Sequence, residues 1–190
     1  MINNDFFPTV DSNFVIKSPE GQLELAYTIP KVASHKAIAV ICHPHPVFGG
    51  TMGNKVVTTL ARMFNKEGIP AIRFNFRGVG QSSGSYAEGI GEADDLRTVL
   101  NWVKITKPDD AIYLAGFSFG SYIAARVSHE YTIKQLISIA PPVNHFDFDS
   151  VIPPKAPWLI VQGTEDEVVP AKEVFDCFSK QTFPHKMLVF

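Results

Sequence analysis

Three short stretches of this chain put polar groups where an acyl-transfer reaction needs them. The first is Gly116-Phe117-Ser118-Phe119-Gly120, which follows the apolar run IYLA and opens the run SYIAARV. A buried strand therefore feeds a helix through a serine with a glycine two residues away on each side. A serine on so sharp a strand-to-helix turn is exposed as a nucleophile, and the glycines leave room for the turn. The free N–H groups that begin the helix then face the oxygen on which charge develops. The competing reading is a plain glycine-rich turn, and the strand and helix on its flanks favour the nucleophile.

The second stretch is His43-Pro44-His45-Pro46, with Gly49-Gly50 close behind, at the end of the run KAIAVIC. Acyl transfer needs two N–H donors for the oxyanion. Phe119, the residue after the serine, supplies one, and the loop after this strand should supply the other. Proline has no N–H, so Pro44 and Pro46 are excluded. The backbone of His45 is the first choice and that of Val47 the second. Two histidines two residues apart with no third ligand nearby make a poor zinc site, so no metal and no cofactor are expected. His43 is expected to pack and hydrogen-bond within the loop.

The third stretch is Gly163-Thr164-Glu165-Asp166-Glu167-Val168-Val169-Pro170, again past an apolar run. Functional residues of open α/β sheets gather at the carboxyl ends of the strands. The order Ser, then Asp, then His is one of the orders in which such triads occur. By its spacing from Gly163, Asp166 is the carboxylate that would orient a histidine, with Glu165 and Glu167 beside it. The alternative is an acidic turn that caps the next helix. Val47, Phe48 and Phe117 are expected to line the substrate pocket, where the loops after Cys42, Ala115 and Gln162 meet.

These stretches need a scaffold, and the rest of the pattern provides one. Residues 13–18 and 22–29 read as an antiparallel hairpin around the turn Pro19-Glu20-Gly21. Residues 36–42 form a continuous β-branched run of the kind buried on both faces of a parallel sheet. Residues 54–66 have helical spacing, closed by Gly68. Strands over 70–74, 111–115, 135–140, 158–162 and 187–190 then alternate with helices over 91–106, 119–129 and 171–180. That alternation predicts an α/β fold with a mostly parallel, doubly wound sheet and right-handed crossovers.

Composition narrows the function classes. The chain has 190 residues, 45% of them apolar, and a formal net charge of -2 with no basic block. One domain over 1–190 is expected, and no nucleic-acid partner. Two distant cysteines exclude a disulfide framework. The opening MINNDFFPTV has neither a positive region nor a long apolar stretch, and no run is long enough to span a bilayer. A cytoplasmic protein without a membrane partner is expected.

Together, HPHPVFGGTMGNKVV, RFNFRGVGQSSG, GFSFG and GTEDEVVP resemble the α/β-hydrolase superfamily. The resemblance is to its small bacterial members without a cap domain, of the dienelactone-hydrolase-like or prolyl-oligopeptidase-like kind, and runs from about Phe14 to the last residue. It implies a serine hydrolase acting on esters or similar acyl bonds of small-molecule substrates. Ser118 would be the nucleophile, Asp166 the acid, and the amides of His45 and Phe119 the oxyanion donors. Arg77 would be structural. The connection from Ala140 to Trp158 is too short for a cap, so the site should be open.

One departure stands against the match. The family's base histidine follows the last main strand, and here the sequence ends at Met187-Leu188-Val189-Phe190, inside that strand. The C-terminus is therefore expected to stop short of the catalytic-histidine loop and final helix. His185 should lie at the wrong end of that strand, His145 follows a strand on the correct edge, and His35 and His129 should be at the surface. As written, the chain is expected to hydrolyse esters poorly and to self-associate through an exposed MLVF edge, with a homo-oligomer left open. The alternative function is a non-catalytic binding protein on the same fold.

Overall fold

The computed structural model describes residues 7–190. Residues 1–6 of the opening segment read above for targeting signals lie outside the described residues. Eight strands form one sheet in the order β1-β2-β4-β3-β5-β6-β7-β8. Strands β1 (Ser12–Ser18) and β2 (Gly21–Thr28) make the N-terminal hairpin, and β2 runs antiparallel to β4 (Ala71–Phe74). From β4 onward every pairing is parallel, through β3 (Ala37–Cys42), β5 (Ala111–Phe117), β6 (Gln135–Ile139), β7 (Trp158–Gln162) and β8 (His185–Val189).

Strand β3 is buried along its whole length. Its side chains alternate between two cores, as the period of two demands. Ala37, Ala39 and Ile41 join Val57, Ala61 and Phe64 of helix α1 (Lys55–Lys66). Ile38, Val40 and Cys42 join a larger cluster with Leu96 of α2 (Ile90–Thr106), Ile123 of α3 (Phe119–Ser128) and Val174 of α4 (Ala171–Phe178). The sheet is thus doubly wound, with α1 on one face and the other three helices on the opposite face. Helix α1 begins where its cap predicts: Asn54 Oδ1 accepts the Val56 N–H at 2.9 Å. It ends at Gly68, whose φ of +74° belongs to the left-handed region that glycine enters freely.

Strand order fixes where a site can form. From β4 the chain crosses over β3 to build β5 on its far side. The β3/β5 boundary is therefore a topological switch point, and its carboxyl edge opens a crevice. The loop carrying His45 leaves β3 at that edge, and Ser118 leaves β5 beside it.

The loop over 76–85 supports this edge without reaching into it. Arg77 is buried and donates to Asp95 of α2 from Nη2 at 2.8 Å and from Nε at 3.1 Å, while its backbone N–H reaches Asp95 Oδ2 at 2.8 Å. A structural part for Arg77 is what these contacts describe. The segment between β6 and β7 holds no helix or strand, so no cap covers the crevice. No helix among the described residues is long and apolar enough to cross a membrane.

Candidate active site

Ser118 sits at φ +52°, ψ −123°, between the last residue of β5 and the first of α3. A non-glycine residue in this region is strained, and the surroundings must hold it there. The Ser118 N–H donates to the Ile139 carbonyl of β6 at 2.8 Å, and its carbonyl accepts the Ser121 N–H at 2.8 Å and the Ser121 hydroxyl at 2.6 Å. The two glycines are a steric requirement. A Cβ on Gly116 would run into the Gly120 carbonyl, and one on Gly120 into the carbonyls of His43 and Cys42. Close approach of α3 to the loop after β3 thus depends on Gly120.

That loop is held from both sides. His43 is fully buried. Its Nε2 accepts the Phe76 N–H at 3.0 Å, and its Nδ1 lies 2.6 Å from the Pro44 carbonyl. The backbone N–H can only donate and the carbonyl only accept, so the ring is neutral with its proton on Nδ1. Burial agrees, pushing its pKa down to about 4. The peptide from Pro44 to His45 is trans and planar, so anchoring the Pro44 oxygen aims the His45 N–H the opposite way. The His45 ring accepts the Val47 N–H at 3.3 Å, so the second-choice oxyanion donor is already engaged. Phe119 begins α3, and its N–H has no partner one turn back.

The acid loop leaves β7 as a closed turn. Asp166 Oδ1 accepts the N–H groups of Val168 at 3.0 Å and Val169 at 2.9 Å. Gln162, only 1% exposed, donates from Nε2 to the Val169 carbonyl at 2.8 Å and pins the far end of the loop. One carboxylate oxygen is therefore fixed to backbone. The other accepts no hydrogen bond among the described residues. Sequence reasoning passed over Gln162, although a polar residue ending an apolar strand was a readable signal.

A cavity of about 440 Å³ lies beside the serine, lined by His45, Phe48, Ser118, Phe119, Pro142, His145, Phe146, Val168 and Val169. The loops after β3, β5 and β7 meet there, joined by the loop after β6. Three expected residues are not on this wall. Phe117 falls, by strand alternation, on the α1 side with Ala115. Val47 points outward and is mostly exposed. Asp166 stays within its own turn. Phe146 and Pro142 were missed because their loop has no motif. Ala140, at φ +46°, follows the last residue of β6 where that loop begins.

The five histidines other than His43 lie in three places. His45 and His145 line the cavity, whereas His185 pairs with Trp158 at the opposite edge of the sheet. His35 and His129 are exposed. No histidine ring among the described residues is hydrogen-bonded to Ser118 or Asp166, and no group of three or more metal-ligating side chains occurs among them.

Known proteins share this fold. A family model described as alpha/beta hydrolase fold matches residues 45–156. The chain belongs to the α/β-hydrolase family. An α/β serine hydrolase homologue from Coxiella burnetii superposes with a TM-score of 0.93 at 47% identity, over 97% of this chain and 89% of that one. An α/β serine hydrolase without a lid from Xanthomonas campestris gives 0.93 at 42%, over 97% and 85%. An uncharacterised protein of Rickettsia prowazekii is 38% identical over 168 residues, 85% of this α/β-hydrolase chain and 70% of its relative. The lidless relative agrees with the uncovered crevice seen here.

Proposed function

We propose that this protein is a serine hydrolase that cleaves carboxylic esters through an acyl-enzyme. The observation that carries the proposal is Ser118, held at φ +52° on the wall of the crevice at the β3/β5 switch point. In this reading the Ser118 oxygen attacks the ester carbonyl, and a histidine takes its proton and returns it to the leaving alcohol. The N–H groups of His45 and Phe119 stabilise the oxyanion, and Asp166 orients the histidine. Water then releases the acid and restores the serine. The similarity to serine hydrolases supports this chemistry, and the apolar wall supports an uncharged ester over a peptide.

A fluorophosphonate probe tests the nucleophile. The protein is expected to be labelled at Ser118, and Ser118→Ala to abolish labelling. Labelling of that variant as strong as the parent's would overturn the assignment. The same probe locates the base. The family resemblance places it after β8, so His145→Ala is expected to be labelled within about threefold of the parent. A loss of about a hundredfold or more would instead give the role to His145.

A further inference from the structure

Aromatic rings make up much of the cavity wall beside Ser118. The His45 centroid lies 4.8 Å from both Phe48 and Phe119, and Phe119 lies 5.5 Å from Phe146. The rings are braced from behind. Tyr122 stacks on Phe146 at 4.6 Å, and Phe119 is fully buried at the start of α3. Phe48, by contrast, is 85% exposed, and Val168, on the same wall, is 71% exposed. An exposed phenylalanine on a short 3-10 turn is apolar surface with nothing packed on its outer side.

The same wall is poor in charged side chains. Among the described residues no Asp, Glu, Lys or Arg lines the cavity. Burial holds the His45 imidazole below its usual pKa, so it is neutral at pH 7. The charges that act on that ring are the carboxylates of Glu92 and Glu88. A negatively charged guest would lose its hydration on entry and find no Lys or Arg side chain on the wall to replace it.

We infer that the acyl group accepted beside Ser118 is uncharged and aromatic, an arylalkanoyl ester whose ring lies among His45, Phe48 and Phe146. This rests on the proposed function only for calling the guest an acyl group. The pocket's preference for a flat neutral ring stands on the wall itself. Rings meeting rings in edge-on or offset geometry gain attraction beyond the area they bury, and an alkyl chain of equal size does not. That advantage corresponds to about a 2- to 10-fold difference in affinity.

The test measures binding apart from catalysis. Purified Ser118→Ala protein is titrated by NMR with 3-phenylpropanamide, heptanamide and the adipic acid monoamide anion. The aryl amide is expected to bind about 2- to 10-fold more tightly than heptanamide, and the anion at least about tenfold more weakly than either. Phe146→Leu in the same background should narrow the aryl-to-alkyl ratio to below about twofold. Heptanamide binding as tightly as the aryl amide, or the anion matching the neutral ligands, overturns the inference. Phosphonate labelling of the parent is scored alongside. Labelled Ser118 with no aryl preference sinks this inference alone. Aryl preference with unlabelled Ser118 supports it while removing the hydrolase reading.

Discussion

His43 is the residue whose contribution is most easily separated from its neighbours. Its two hydrogen bonds require a neutral ring, and burial holds its pKa at about 4. In the unfolded chain an imidazole titrates near 6.5, about 2.5 units higher. Between those values the unfolded chain binds more protons, so stability is complete above about pH 6.5 and falls as pH drops toward 4. The full effect is on the order of 3 kcal/mol. Urea unfolding at pH 7, 5.5 and 4 should show this decline in the parent, and a shallower one in His43→Asn. Equal declines in both would clear the ring of responsibility. Because His43 aims the His45 N–H, the same variant should slow fluorophosphonate labelling of Ser118 by about 10²-fold, as loss of an oxyanion donor does. An unchanged labelling rate would mean that the Pro44 peptide holds its direction without the ring.

Among the elements, α2 is bound to the sheet edge by a buried ion pair as well as by apolar packing. Asp95 is 1% exposed and takes the Arg77 guanidinium side-on. Gly91, one turn earlier, leaves the room that guanidinium fills. Removing one partner of a buried pair strands the other charge, which costs about 3–5 kcal/mol. Asp95→Ala should therefore lower the unfolding free energy by about that amount in chemical denaturation. Glu20, 3.8 Å from the same guanidinium but half exposed, is the internal control. Glu20→Gln should cost under about 1 kcal/mol, as exposed pairs do. Similar losses in both variants would show that Arg77 does not depend on Asp95.

For the whole molecule, the proposal is that residues 7–190 unfold as one unit, because a single sheet is shared by both cores. The two tryptophans sit near opposite ends of that sheet. Trp102 packs against Phe14 of β1 at 5.4 Å, and Trp158 of β7 against Phe178 at 5.3 Å. In Trp158→Phe, fluorescence reports the first half, and in Trp102→Phe the second. In each variant the urea midpoint by fluorescence should coincide with the midpoint by far-UV circular dichroism. Separate midpoints would divide the sheet into two independently unfolding halves.

The elements were legible in the sequence because their signals are local. Residues 158–162 and the start of α1 at Asn54 emerge as read, since an apolar run and a capping side chain act over a few residues. The strained serine was legible for the same reason, as Gly116 and Gly120 are needed only where a turn is crowded. Where tertiary pairing outweighs local preference, the reading shifts. β8 begins at His185 rather than Met187 because Trp158 and Leu159 offer pairing partners to two residues with no strand signal of their own. The pocket wall was the least legible part. Phe146 reaches it through a loop without a motif, whereas Phe117, next to the serine, is carried to the other face by the alternation of β5. Residue type and spacing determine which groups could react. Which side chains surround them depends on the direction each chain segment takes after leaving the sheet, and only the packed structure decides that.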